Sequence, residues 1–208
     1  MDKFRFRYQS EMHGTHGSLM GVHTEKSKKT FPTVELRGYQ GEAKIRCSLF
    51  QVDPSKRAAH SHHLVIKSGE VDLNDPHDID VNAEVGYLAM FQGMGIIHTA
   101  KKHIVEELCK KIKGQKLVEL NRELSLREEH QMQKEAAEMA KTMNLNQVCL
   151  CFQAYQVDKV TGHWTPLCDP VYSNAINNMS KFLLFHAQQV QNNCIKFVFF
   201  SCRKRSYG

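Results

Sequence analysis

The rhythm of apolar and polar positions changes three times along this chain. Over residues 1–100, short runs alternate or cluster in β-branched and aromatic residues: Arg5–Tyr8, Thr33–Leu36, Ala43–Phe50, His63–Lys67 and Tyr87–Phe91. Between them stand turn formers at Gly38, Gly41, Pro54, Gly69, Asn74-Asp75-Pro76 and Gly86. Short strands at this spacing predict an antiparallel sandwich or barrel. From about 101 to 143 the period lengthens. Ile104, Leu108 and Ile112 recur at helical spacing, Gly114 interrupts, and Ser125-Leu126-Arg127-Glu128 reads as a capping box. The stretch that follows, to Met143, is rich in Glu, Lys, Ala, Met and Gln, all strong helix formers. Strand patterning resumes over 146–178: Gln147–Phe152, Ala154–Val157, a turn at Asp158–Gly162 leading to His163-Trp164, and an extended edge over Pro166–Asn178. The expected architecture is all-β with one helical insertion.

Composition narrows the class. The chain has 208 residues, enough for one domain or one domain with an appendage, and 41% hydrophobic residues make a buried core feasible. Lys plus Arg is 28 against 22 Asp plus Glu, a net +6 that favours an anionic partner without saying where the charge sits. Over 101–143 the 10 Lys or Arg and 8 Asp or Glu nearly cancel, so the insertion reads as a solvated helical pair. No apolar run approaches the ~20 residues of a membrane helix, and the first residues are charged where a signal peptide is apolar, so membrane spanning and secretion are not expected. The seven cysteines are odd in number with no Cys-x-x-Cys pair, which points to reduced thiols in a cytosolic or nuclear protein. Met179–Gly208 stands apart: no acid, five basic residues, and aromatic-rich clusters at Phe182–Phe185 and Phe197–Phe200, with neither strand nor helix period. It is expected to be an unrelated, poorly ordered tail, its aromatics an aggregation hazard if exposed.

The segment with the clearest chemistry is Phe4-Arg5-Phe6-Arg7-Tyr8, continuing through Gln9-Ser10-Glu11 to Met12-His13-Gly14-Thr15-His16-Gly17-Ser18-Leu19. Strand alternation puts Arg5 and Arg7 on one face and Phe4, Phe6 and Tyr8 on the other. Two arginines side by side can each bind guanine O6 and N7 in a major groove, and Glu11 can accept from a cytosine amino group. An ordinary half-buried strand with a charged outer face accounts for the same pattern.

Further motifs, in order, carry a resemblance. They are Lys29-Thr30-Phe31-Pro32-Thr33-Val34, Tyr39-Gln40-Gly41-Glu42-Ala43, His60-Ser61-His62-His63-Leu64-Val65, Met94-Gly95-Ile96-Ile97-His98-Thr99-Ala100-Lys101-Lys102, Met143–Val148 and Pro170–Ile176. Together with the arginine segment they resemble the Rel homology region of the nuclear factor kappa-B, Dorsal and Relish transcription factors, almost continuously from 4 to 178, with the Relish branch nearest. The resemblance implies an immunoglobulin-like antiparallel β-sandwich over 1–178 that binds double-stranded DNA at kappa-B sites. Its base readers would be Arg5, Arg7, Tyr8, Glu11 and His16, and its phosphate contacts Ser10, His98, Lys101 and Lys102. It also implies transcription regulation in immune responses, residence in nucleus and cytoplasm, and neither cofactor, metal nor enzymatic reaction; the insertion over 101–143 is, on its own reading, a candidate surface for transcription-factor partners.

Four features depart from that family. Ser10 replaces its redox-sensitive loop cysteine, the chain begins almost at Phe4, Lys181 is the nearest counterpart of its linker lysine, and the tail stands where a second, dimerising domain would start. These predict a truncated or alternatively spliced form without the usual dimerisation, binding weakly because linked half-site readers gain about 10²–10⁴ from effective concentration. Two rivals remain. His60, His62, His63 and His77 are close enough in sequence to suggest a metal site, but no Cys or acid completes a recognisable ligand set. A truncated chain that binds partner proteins or modulates full-length factors, without effective DNA binding, is the other. Nucleophilic catalysis is not expected, with no Gly-x-Ser-x-Gly and no phosphate-binding glycine loop. Arg203-Lys204-Arg205 is a short basic patch of the kind used in nuclear import.

Overall fold

The computed structural model describes residues 4–11, 17–21, 23–25, 27–68, 70–73, 75–179 and 198–201. The chain opens with a two-residue strand, β1 (Arg7–Tyr8). Then β2 (Thr33–Arg37) and β3 (Ala43–Phe50) bury every second side chain, Val34, Leu36, Ala43, Ile45, Cys47 and Leu49, as their alternation requires. Next come β4 (His63–Ser68), β5 (Glu70–Leu73), β6 (His77–Val81), β7 (Leu88–Met90) and β8 (Met94–His98). The helices α1 (Ile104–Leu120) and α2 (Leu126–Thr142) follow, then β9 (Gln147–Val157), β10 (Trp164–Pro166), β11 (Val171–Tyr172), β12 (Ile176–Asn177) and β13 (Val198–Ser201).

One sheet runs β10-β9-β3-β6, a second β1-β8-β4-β5, a third β13-β2-β7. All three feed one core that includes Phe6, Val34, Ile45, Leu64, Phe91, Ile96, Leu150 and Phe152, an immunoglobulin-like, mainly antiparallel sandwich. The turn expected at Asp158–Gly162 leads into β10, and the edge expected over Pro166–Asn178 is broken into β11 and β12, all three pairing one after another with the eleven-residue β9. From the tail, Val198–Ser201 lies parallel to β2, Val198 opposite Val34. Phe182–Phe185, Phe197, Lys181 and Arg203-Lys204-Arg205 lie outside the described residues. Among the described residues no helix is long and apolar enough to cross a membrane.

Strand β6 has no counterpart in the sequence reading: its inward Ile79 and Val81 are flanked by His77, Asp78 and Asp80, and the two acids are stabilised by charges across the ladder. Asp78 stands opposite Arg46 and Asp80 opposite Lys44 across the β3–β6 ladder, bonded at 2.8 and 2.7 Å. The insertion departs from expectation at Gly114, which does not interrupt: α1 runs through it and stops at Asn121, a left-handed cap (φ 50°) whose N–H bonds Leu117 O. Ser125 and Glu128 do form the capping box that starts α2. The two helices close a core of their own around Ile104, Leu108, Ile112, Met132 and Ala136, separate from the sandwich core.

Candidate nucleic-acid interface

The arginine segment is positioned from beneath. Phe6 is fully buried, its ring edge-on to His62 at 5.8 Å and tilted against His98 at 5.5 Å. Its backbone N–H donates to Asn178 Oδ1 at 3.2 Å, while Met179 N–H donates to Phe4 O at 3.2 Å. β1 then pairs parallel with β8, Arg7 opposite Ile97 and Tyr8 opposite His98. With Phe6 plugged into the core, Arg5 and Arg7 must leave it on the opposite side.

A single helical turn over Gln9–Glu11 brings the chain back so that Glu11 meets both arginines. Glu11 Oε1 accepts from Arg5 Nη2 at 2.9 Å and Arg7 Nη1 at 3.5 Å, and Oε2 accepts from Tyr8 N–H at 2.9 Å. The Tyr8 N–H, then the Arg5 and Arg7 charges, hold the Glu11 carboxyl below its ordinary value, so it is ionised at neutral pH. The Arg5 side chain is 51% exposed and that of Arg7 27%, each with one of five N–H donors committed to Glu11 among the described residues. One carboxylate therefore sets two guanidinium forks side by side at the surface.

Tyr8 departs from the alternation that grouped it with Phe4 and Phe6. It is 58% exposed, because the strand ends there and the chain turns, and its ring stacks on His98 at 5.4 Å. Ser10 is exposed in the turn, and Lys101 and Lys102 are exposed in the turn that precedes α1. His98 is half-buried under Tyr8, and its Nε2 lies 2.8 Å from Asn178 Nδ2. Since Asn178 Oδ1 already accepts from Phe6, the amide nitrogen donates and His98 Nε2 accepts. His16 lies outside the described residues.

The sequence reading missed the supports. Asn178 is buried and ties Phe6, His98 and, through its N–H, Asn146 O at 2.8 Å, yet an asparagine beside Asn177 carries no signal of that role. His60 and His62, considered above as metal ligands, pack instead into a column of rings: His60 edge-on to His62 at 4.5 Å, His62 edge-on to His98 at 4.4 Å, and His98 stacked on Tyr8 at 5.4 Å. Their Nε2 atoms donate to the Asn144 and Leu145 carbonyls at 3.1 and 2.9 Å, and their Nδ1 atoms accept from the N–H groups of His62 and Thr99. Both rings are thus neutral with both nitrogens spent. Burial pushes His60 down to about 3 and His62 to about 2. Among the described residues no three His, Cys, Asp or Glu side chains are grouped to hold a metal.

The fold agrees with the comparisons. A family model for the Rel homology DNA-binding domain matches residues 1–179. The chain is 54% identical over 179 residues to the nuclear factor NF-kappa-B p110 subunit of Drosophila melanogaster, across 86% of this chain and 18% of that protein. It is 35% identical to the NF-kappa-B p100 subunit of Gallus gallus (84% and 19%) and 31% identical to the embryonic polarity protein dorsal of Drosophila melanogaster (83% and 16%). Among solved structures it resembles a Dorsal homologue, Gambif1, bound to DNA, with a TM-score of 0.60 and 30% identity over 85% of this chain and 93% of that one. The chain spans less than a fifth of the length of these curated relatives.

Proposed function

This chain belongs to the family of Rel homology DNA-binding domains, a family of transcription factors rather than enzymes, and from that membership we propose that it reads the guanine-rich half of a kappa-B site through the major groove. The observation that carries the reading is the Glu11 carboxylate holding Arg5 and Arg7 as a surface pair. Two aligned forks suit successive guanines, each bidentate contact giving about 1–3 kcal/mol of discrimination, and Glu11 accepts from a cytosine amino group beside them. Tyr8 lies against bases and backbone, and His16 takes an outer guanine. Ser10, His98, Lys101 and Lys102 contact phosphates, which set register and affinity without reading sequence. That the Dorsal homologue Gambif1, which this chain resembles, is bound to DNA in its structure supports a DNA-binding role. One copy carries one such set, hence one half-site. Regulation of immune-response genes, with the protein in nucleus and cytoplasm, is the setting that goes with this reading.

The test is fluorescence-anisotropy titration of a guanine-rich kappa-B duplex and a scrambled duplex across salt. Wild type is expected to prefer the kappa-B duplex, and Arg5→Ala with Arg7→Ala to lose the preference while keeping salt-dependent binding. The salt slope, about −0.9 per phosphate neutralised, counts the remaining contacts. Equal binding of both duplexes by wild type would sink the proposal.

A further inference from the structure

The insertion and the sandwich meet across polar ground, not through a shared core. Lys111 of α1 does the joining: its ammonium donates to the carbonyls of His60 (2.8 Å) and His62 and pairs with Asp75 at 2.6 Å. Because apolar packing does not draw α1 onto the sheet, a cleft of about 880 Å³ remains between α1 and the outer face of β3 and β9. That volume falls within the range of sites that enclose small ligands or short peptides. The cleft follows α1 from Glu107 to Glu119, about 18 Å at 1.5 Å per residue, or about five residues of extended chain.

Two features of its walls are unexplained by the fold itself. Most cations there have carboxylate partners within the chain: Lys110 with Glu107, Lys111 with Asp75, Lys116 with Glu135, and Arg46 with Asp78. Arg57 has none within ion-pair distance among the described residues. Its guanidinium lies over the Tyr172 ring at 4.0 Å and gives one N–H to Cys149 Sγ at 3.4 Å. A half-buried fork held flat on an aromatic ring, with its other donors uncommitted among the described residues, is preset for a carboxylate. The second feature is Gly114, on the cleft side of the middle of α1. Glycine is a poorer helix former than alanine, yet a Cβ built there meets nothing within 4 Å among the described residues, so none of them requires the bare position.

We propose that this cleft binds an extended acidic segment of a partner protein, its carboxylate paired with Arg57 and its backbone passing over Gly114. The chain's own 179–208 segment does not qualify, because it contains no Asp or Glu. The site shares no residue with the Arg5–Glu11 surface, so duplex binding serves as an independent measure of folding.

The probe is a phage-displayed library of random nine-residue peptides selected on the full chain, with recovered sequences synthesised and titrated. The expected peptides carry Asp or Glu at a fixed position, and lose about tenfold or more in affinity both when that acid is changed to its amide and when the protein carries Arg57→Gln. Gly114→Ala is expected to raise the melting temperature and weaken the peptide, and Gly114→Leu to abolish binding, with duplex affinity unchanged in all three variants. Because Gly114→Ala is the more stable protein, its loss of peptide cannot be ascribed to unfolding. Recovery of no peptide, recovery without a fixed acid, or equal binding to Arg57→Gln and Gly114→Leu would each overturn the proposal.

Discussion

At the scale of single residues, Glu11 governs how sharply the arginines can read. Its two oxygens take three donors, from Arg5, Arg7 and the Tyr8 N–H. Replacing it with glutamine keeps one acceptor but turns an amide toward guanidinium groups that then repel each other. Glu11→Gln is therefore expected to reduce discrimination between kappa-B and scrambled duplexes by about tenfold, within the 1–3 kcal/mol of a bidentate contact. The salt slope should stay the same, since no phosphate contact is removed. A changed slope with discrimination intact, in the same titrations, would show that Glu11 does not orient the pair. Asn178 acts one step further back. With alanine there, the buried Phe6 N–H loses its acceptor, which costs about 1–3 kcal/mol. Urea unfolding of Asn178→Ala should show that loss.

At the scale of elements, what could be read from sequence divides by the range of the forces involved. β2, β3 and the capping box were legible because each is determined by neighbours one to four residues away, through alternation or through Ser125 and Glu128. Arg5, Arg7 and Glu11 were legible as a group for the same reason, all within seven residues. β6 was not, because Asp78 and Asp80 are stabilised by Arg46 and Lys44 more than thirty residues away. Tyr8 was misplaced because strand period was extended over a strand only two residues long. Local propensity alone makes Gly114 a break, whereas tertiary packing of Ile112 and Leu108 against Met132 and Ala136 carries α1 past it. The join between insertion and sandwich was equally hidden, since it rests on Lys111 and Asp75, whose side chains are 12% and 2% exposed. Lys111→Met leaves that buried carboxylate without its cation and two carbonyls without a donor, so a loss of about 3–5 kcal/mol is expected. Lys111→Met with Asp75→Asn should recover part of it, as the uncompensated charge is then gone. Urea unfolding of the two variants separates these outcomes. Equal stability of Lys111→Met and wild type would mean that the helices are docked by something else.

At the scale of the whole molecule, the same ring column that supports Tyr8 ties stability to pH. His60 and His62 are neutral in the fold, at about 3 and about 2 against an ordinary 6.5, chiefly because burial disfavours their charged forms. For His62 the neighbouring His60 adds to the penalty, and for both rings so do His98 and the Lys111 charge, while the hydrogen bonds to the Asn144 and Leu145 carbonyls oppose it only in part. Below 6.5 the unfolded chain takes up protons that the folded chain refuses, so stability is complete above that pH and declines as pH falls toward the folded values. Each histidine contributes about 1.4 kcal/mol per pH unit, or about 4 kcal/mol for the pair between pH 7 and pH 5, a large share of a typical 5–15 kcal/mol. His63 and His77 are also shifted down by burial and act in the same direction. The carboxyls of Glu11 and Asp158, held below their ordinary values by hydrogen bonds, act only at lower pH. Urea midpoints at pH 7, 6 and 5 should therefore fall steeply for wild type. His62→Gln should be less stable at pH 7 but lose about 2 kcal/mol less than wild type between pH 7 and pH 5, the share of the one proton-refusing ring removed. An unchanged acid slope in His62→Gln would place the sensitivity outside the column. Because the folded chain keeps these rings neutral down to about 3, Tyr8 should hold its stacked position until the chain unfolds, and discrimination between duplexes should fall in step with unfolding rather than ahead of it.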